Sequence, residues 1–573
     1  MSKKKTPKQK TTLKGNMPQK TILIGEDLYI ENSTDRTIRL LIILIAGLVP
    51  LIVFCKLQTF IMPVIETFMN FSTTTITDFF TYYKQVVLLL LTAILLIVFL
   101  REILTKTSRP LTLHRLDIPI LVFILSLCIT MLTAEYKTLA LWGGYTRNLG
   151  IVTYLACAFI LFVLINMRIN AKWSKMFYIA LYPLVFINTI MLVLSYYGVN
   201  LWNVDFIVLL LTGGNPEYVT ESARIHGTLN HVNYLSGLGA VLFAIFAGRA
   251  VLAEKNFTVD HLLSIAAAIL SATIVFASKS LSGVVTMAFI LVILLGLVVD
   301  RKGANIVTLL LILGFTAVCW TALSLHNASF IKEIRDSVGL LIATAVLSLL
   351  VFLVYLFAKN WHEINKKKLL ISGIIVVVLA VAVVVPVIPK VESAVTAELN
   401  RINSDLIRER LQQDEFDFPE AKFTWGTGRL YIWKETLKLV AEKPLFGYGF
   451  DTLPFEFDQT DPAKIAALAS PYVIVDKPHN IYINMLFGAG IVAFLAFMAI
   501  VLMVIIKAIQ AIIANPENSA LIWPILLGIV AYLGQGMFND PVQGVESLFW
   551  VMLGLAYGLA VNLPAADKVV DNE

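Results

Sequence analysis

The sequence predicts an all-α polytopic membrane protein: a bundle of about fourteen transmembrane helices with one large helical loop on the outer face. Two observations predict it. Of 573 residues, 58% are hydrophobic and only 15% charged, where a soluble domain carries about a quarter charged. Apolar runs long enough to approach a bilayer crossing also recur along most of the chain. A single soluble domain, a disordered chain and a fibrous repeat are thereby excluded. The net charge of +6 is read loop by loop and is no nucleic-acid signal.

The apolar runs fall at 40–55, 86–100, 118–133, 151–167, 177–198, 234–248, 261–277, 281–299, 305–325, 338–358, 369–388, 481–506, 520–538 and 545–562. Several are shorter than the roughly 20 residues a bilayer needs, so flanking Tyr, Trp or Lys extend them. With the Lys-rich start of the chain inside, the even-numbered connections carry the cations: Arg101, Lys106, Arg109 and Arg115, then Arg168, Lys172 and Lys175, then Arg301 and Lys302, then Lys359 and Lys366 to Lys368. Odd-numbered connections are mixed or acidic, as at Asp205, Glu217 and Glu221. This bias puts both termini in the cytoplasm. The expected organisation is a basic cytoplasmic tail (1–39), spans one to eleven (40–388), an outer loop (389–480), spans twelve to fourteen (481–562) and a short cytoplasmic tail (563–573). The basic tail reads as a cytosolic extension able to lie on anionic lipid, not as a cleaved signal. Cys55, Cys128, Cys157 and Cys319 lie in or beside apolar runs, as packing residues and not as a disulfide or metal framework.

A loop of this length is usually functional. Its first part spaces Val391, Val395, Leu399, Ile402 and Leu406 as one helix face. A second helix is expected over Arg429–Glu442, with Leu430, Trp433, Leu437 and Val440 on one side, and Lys443-Pro444 ends it. Gly447 and Gly449 read as tight turns, and a short helix follows at Pro462–Ala469.

The spans are almost free of deep charge, whereas polar and basic groups gather in the outward connections. These are Trp142-Gly-Gly-Tyr-Thr-Arg147-Asn-Leu-Gly150, Arg224-Ile-His226-Gly-Thr-Leu-Asn-His231-Val-Asn233 and Ser278-Lys279-Ser280. In and after the loop stand Gly426-Thr-Gly428-Arg429-Leu-Tyr-Ile-Trp433, Pro444-Leu-Phe-Gly-Tyr-Gly-Phe450 and Lys477-Pro-His479-Asn480. Separate cations and a histidine at one membrane surface suit an anion, since arginine forks onto phosphate oxygens.

In this order the groups resemble the O-antigen ligase and polymerase family of bacterial membrane glycan transferases. The likeness runs from about 140 to 560 and is densest at 424–495, where Gly488-Ala489-Gly490 follows the loop motifs. It implies a glycosyltransferase-C-like helical fold in the bacterial cytoplasmic membrane, with the active site on its outer face. It also implies a metal-independent enzyme without cofactor. The donor would be an undecaprenyl-diphosphate-linked glycan and the acceptor a glycan, lipid or protein, with other envelope-assembly proteins as partners and no nucleic acid. Carried over by residue, the resemblance makes His479, Arg224 and Arg429 catalytic, and gives Arg147, Lys279, Asn480 and Asn233 to substrate binding. The family often has Ser-Arg where this chain has Ser278-Lys279, leaving a point charge in place of a bidentate contact. The first three spans and the basic tail carry no matching motif.

The chemistry asks for these residue types. Breaking a sugar–diphosphate bond builds negative charge on the leaving group, which preorganised cations stabilise. The acceptor hydroxyl must lose a proton, which a neutral histidine can take. Plainer roles stand beside these: Arg224 and Arg429 snorkelling to lipid phosphates, His479 as an interfacial anchor, His226 and His231 as structural, Trp433 as helix packing. Asp414, Glu415 and Asp417, and again Asp458 and Asp461, read as solvated loop faces more than as a cation site. A polymerase joining lipid-linked repeat units, and from a different class a lipid-linked glycan transporter or flippase, are the rival functions. Transfer is expected to survive EDTA, and activity lost to EDTA and restored by magnesium or manganese would overturn metal independence.

Overall fold

The computed structural model describes residues 33–60, 74–105, 113–144, 147–219, 226–229, 231–299, 303–326, 428–468 and 473–562. Its first half comprises α1 (Ser33–Gly47), α2 (Tyr82–Thr105), α3 (Asp117–Thr133), α4 (Lys137–Trp142), α5 (Ile151–Ile165), α6 (Ala171–Tyr196), α7 (Asp205–Thr212), α8 (Val232–Val251), α9 (Val259–Ala277), α10 (Leu281–Val299) and α11 (Gly303–His326). The second half comprises α12 (Arg429–Glu442), α13 (Leu453–Glu456), α14 (Pro462–Leu468), α15 (Ile481–Ala514), α16 (Ser519–Gln535) and α17 (Val545–Asn562). The protein is an all-α polytopic membrane protein. Among the described residues, seven helices are long and apolar enough to cross a membrane: α2, α6, α8, α9, α10, α15 and α17. Twelve of the fourteen apolar runs carry helix, and those at 338–358 and 369–388 lie outside the described residues.

Two local departures have physical reasons. The first apolar run stops being helical at Gly47, because Pro50 sits in a following 3-10 turn. The chain then enters a strand pair, β1 (Lys56–Phe60) and β2 (Thr74–Asp78), antiparallel with Lys56 opposite Asp78. Its signal was the β-branched run Thr74-Thr75-Ile76-Thr77.

At the centre of the bundle runs α8, buried along nearly its whole length against α9, α10 and α16. Ser236, Gly237, Gly239, Ala240, Ala244 and Gly248 let neighbouring backbones approach closely, as membrane helices require. Outer helices instead show apolar side chains to lipid, such as Leu90, Ile97 and Leu104 of α2.

Candidate active site

Non-helical backbone at one end of the bundle must find hydrogen-bond partners within the protein. The end of β2 and the first turn of α2 supply many of them. Asp78 accepts from the amides of Phe80, Thr81 and Tyr82 (2.8, 3.0 and 2.8 Å), and Asn148 donates to Asp78 (3.1 Å) and to the Thr81 hydroxyl (2.7 Å). Gln85 donates to the carbonyls of Trp142 (2.7 Å) and Asn148 (2.8 Å). Asp451 accepts from the Gly144 amide at 2.8 Å. These bonds hold the loop that carries Arg147.

The fully buried Lys84 does comparable work. Its ammonium donates to the carbonyls of Ile52 (2.5 Å), Phe80 (2.8 Å) and Thr228 (2.8 Å), while Asn188 accepts from the Thr228 amide at 2.8 Å. Lys84→Met should lower the thermal stability of the purified protein by about 3 kcal/mol or more, since an orphaned buried acceptor costs about 1–3 kcal/mol. An unchanged melting temperature would refute this role.

The glycine motifs, far apart in sequence, form one junction. At Gly490 (φ 74°) α15 leaves helical geometry, and Ile491 donates to the Pro444 carbonyl at 2.8 Å. Tyr448 and Gly449 donate to the carbonyls of Phe487 and Gly488, both at 2.9 Å. A β-carbon at Gly447 (φ 66°) would come within 2.3 Å of the Phe487 carbonyl oxygen, so glycine is required there. Gly447 and Gly449 are the tight turns the sequence suggested, and they clamp the end of α12 to α15.

The expected helix α12 is present at its expected bounds, but it buries a different face. Tyr431, Ile432 and Thr436 are enclosed, whereas Leu437 is 44% exposed. The cause is a separate small core containing Tyr448, Leu453, Phe457, Val475 and Phe487, which α12 covers. Trp433 donates to the Pro478 carbonyl at 2.7 Å, tying this helix to the segment that carries His479. Gln459 clasps both backbone groups of Val475, accepting at 3.0 Å and donating at 2.8 Å.

Residues 475–480 then lie among polar and charged groups from three other segments. Arg147 pairs with Asp476. Lys477 donates to the Tyr234 hydroxyl of α8, and its ammonium lies 3.8 Å from Asp540, in the connection between α16 and α17. The Tyr234 hydroxyl donates to Asp540 at 3.3 Å. His479, at φ 53°, places Nδ1 at 2.9 Å from Asp540 Oδ2. A carboxylate can only accept, so Nδ1 carries the hydrogen and Nε2 is left with its lone pair in the neutral ring. Asn480 caps α15, accepting from Tyr482 (2.9 Å) and Ile483 (3.1 Å) and donating to the Met537 carbonyl (3.2 Å). Its side chain therefore anchors the segment.

Charge balance follows from this packing. Burial works to raise the Asp540 carboxyl, but His479, Lys477 and Arg147 hold it well below the usual carboxylate range. Burial likewise opposes ionisation of Asp476, and Arg147, Lys477 and His479 outweigh it. The imidazole of His231 is pushed down to about 4 by burial and by Lys477, His479, His226 and Arg429. Arg429 belongs to the same field: burial lowers it, and Asp540 and Tyr234 act the other way. Arg147 and Lys477 thus have carboxylate partners, while Arg429 has no ion-pair or hydrogen-bond partner among the described residues.

The expected site residues divide accordingly. His479 and Arg147 meet the 476–477 segment and Asp540, and Arg429 shares the field of Asp540. Lys279 (φ 55°) sits on a turn near α8 but lays its ammonium 4.7 Å over the Tyr196 ring, with no contact to His479 or Arg429 among the described residues. The half-exposed Asn233 stands one residue before Tyr234. Arg224 lies outside the described residues, as do Asp414, Glu415 and Asp417. Asp458 and Asp461 are occupied locally: Asp458 accepts from Thr460 (2.9 and 2.7 Å), and Asp461 from Ala463 (2.8 Å) and Tyr431 (2.5 Å). Sequence reasoning missed Asp476, Asp540, Tyr234 and Lys84, and it quoted Lys477 without assigning it. A search for cations passes over the acids that hold them; Asp540-Pro541 between the last two runs was the available signal.

The family profile for O-antigen ligase matches residues 328–498. The chain carries an O-antigen ligase family domain. The matched stretch contains Arg429, the glycine junction and His479, whereas Arg147, Tyr234 and Asp540 reach the site from outside it. The match supports an O-antigen ligase- or polymerase-type membrane protein of glycan assembly. No curated protein matches the chain significantly.

Proposed function

We propose that this O-antigen ligase-type protein is a metal-independent, inverting glycosyltransferase. It moves a glycan from an undecaprenyl-diphosphate carrier to an acceptor hydroxyl on the outer face of a bacterial cytoplasmic membrane, with both termini inside. The observation that carries this reading is a histidine oriented by a buried carboxylate, with an arginine that has no ion-pair partner among the described residues in the same electrostatic field.

The acceptor hydroxyl gives its proton to Nε2 of His479 as its oxygen attacks the anomeric carbon from the side opposite the diphosphate. The sugar–oxygen bond to the diphosphate breaks, and its electron pair stays on the departing phosphate oxygen. Arg429, with Arg224, holds that oxygen and its neighbours as charge develops. Asp540 fixes the tautomer and steadies the imidazolium, so it is a positioning residue. Arg147, closed by Asp476, shapes the site more than it grips the leaving group, and Lys279 and Asn233 contact the substrate at the rim.

The test is reconstitution of the full chain with a lipid-linked oligosaccharide, followed by addition of candidate acceptors. Acceptor-dependent appearance of undecaprenyl diphosphate is expected, and the acceptor that triggers it separates ligase from polymerase. Movement of the oligosaccharide across the bilayer without release would overturn the proposal in favour of a transporter.

A further inference from the structure

Between α6 and α8 the chain makes a helix that crosses nothing. With eight residues, α7 is about 12 Å long, where a span needs roughly 20 residues. Its sequence Asp205-Phe-Ile-Val-Leu-Leu-Leu-Thr212 has no polar face. Such a helix must be covered on every side. One side is covered by protein: Val208 joins the small core of Cys55, Phe79, Leu201 and Trp202, with Ile207 and Leu211 packed against it. No described residue covers the opposite side, where Phe206 is 70%, Leu209 59% and Leu210 59% exposed. Water is a poor neighbour for a patch of this kind.

Continuity with α6 identifies what covers it. The spanning helix α6 shows Phe186, Ile190 and Leu194 outward at four-residue intervals, and the exposed band continues through Tyr197, Val199 and Val204 onto α7. A face continuous with a lipid-facing face is met by lipid. Its helix is also fastened to the site: the Cys55 amide donates to the Leu211 carbonyl at 2.8 Å, and Trp202 packs on Phe79 with ring centres 4.6 Å apart. Phe79 directly follows Asp78, the carboxylate that holds Asn148 beside Arg147.

We propose that α7 is a membrane-surface helix whose Phe206, Leu209 and Leu210 sit in the headgroup–acyl boundary on the cation-bearing side, and that this seat fixes the charged site at headgroup depth. Interfacial helices bury an apolar face by about 5–10 Å in that region. Only the use of that depth, to meet the diphosphate of a membrane-held donor, rests on the proposed function.

Photoreactive benzoylphenylalanine in place of Phe206 or Leu210, in the full chain in phosphatidylglycerol–phosphatidylethanolamine nanodiscs, tests the seat directly. Leu502, half-exposed on the spanning α15, serves as the lipid-facing control. The expected result is lipid adducts at 206 and 210 within about twofold of the yield at 502, mapped to the glycerol and upper acyl carbons. Protein adducts, adducts at acyl termini, or no adduct where 502 reacts would each overturn the proposal. The readout needs no transfer activity, so it stands or falls apart from the enzyme reading.

Discussion

His479→Asn lowers the single-turnover rate of glycan release by roughly 100- to 10,000-fold, the usual worth of a positioned general base, with little change in donor KM. Asparagine is the informative substitution because His479 is at φ 53°. Non-glycine residues pay a strain penalty in that region, and asparagine tolerates it better than most. His479→Ala removes the same base but adds backbone strain of about 1 kcal/mol, which blurs the reading. Asp540→Asn should act in the same direction with a smaller loss, since an amide oxygen still accepts from Nδ1 but no longer steadies the imidazolium. Near-normal turnover in His479→Asn would remove the base from the mechanism. If Asp540→Asn alone is silent, the 2.9 Å contact only anchors the segment.

The legible part of the fold was the part governed by hydropathy. Long apolar runs fix spanning helices whatever packs against them, and Lys443-Pro444 marked the end of α12 because proline cannot continue a helix. Which face of α12 is buried was not legible, because its partners Phe457 and Phe487 come from other segments. The strand pair and α7 escaped notice since each is too short to leave a periodic signal. At the site the pattern was similar. Cations in glycine-flanked connections drew attention through composition alone, and Arg429 and His479 were reached that way. Asp476 and Asp540 matter through what they touch, and those contacts join residues 329 and 61 positions apart. Asn480, offered as a ligand for its place beside His479, has a second duty that its sequence position did not show: its amide oxygen caps α15.

Arg429→Gln should reduce kcat by roughly 100- to 1,000-fold, the scale for losing one preorganised donor to a developing oxyanion. Arg429→Lys should recover part of it, because an ammonium keeps the charge but not the planar fork. The comparison that gives this meaning is Arg147→Gln. Arg147 is already neutralised by Asp476, and its removal leaves a half-buried carboxylate without that partner. Stranding a half-buried charge is destabilising, though solvent screening makes it cheaper than in a fully buried pair, so this variant should lose thermal stability, and joint replacement of Asp476 by Asn should restore much of it. No such rescue is available to Arg429, which has no ion-pair partner among the described residues to strand. Its loss should therefore appear in turnover at nearly native stability. The two arginines stand in one electrostatic field around Asp540, yet one is a strut and the other an open charge. Equal turnover losses for Arg429→Gln and Arg147→Gln at matched stability would erase that distinction, and with it the assignment of the leaving diphosphate to Arg429.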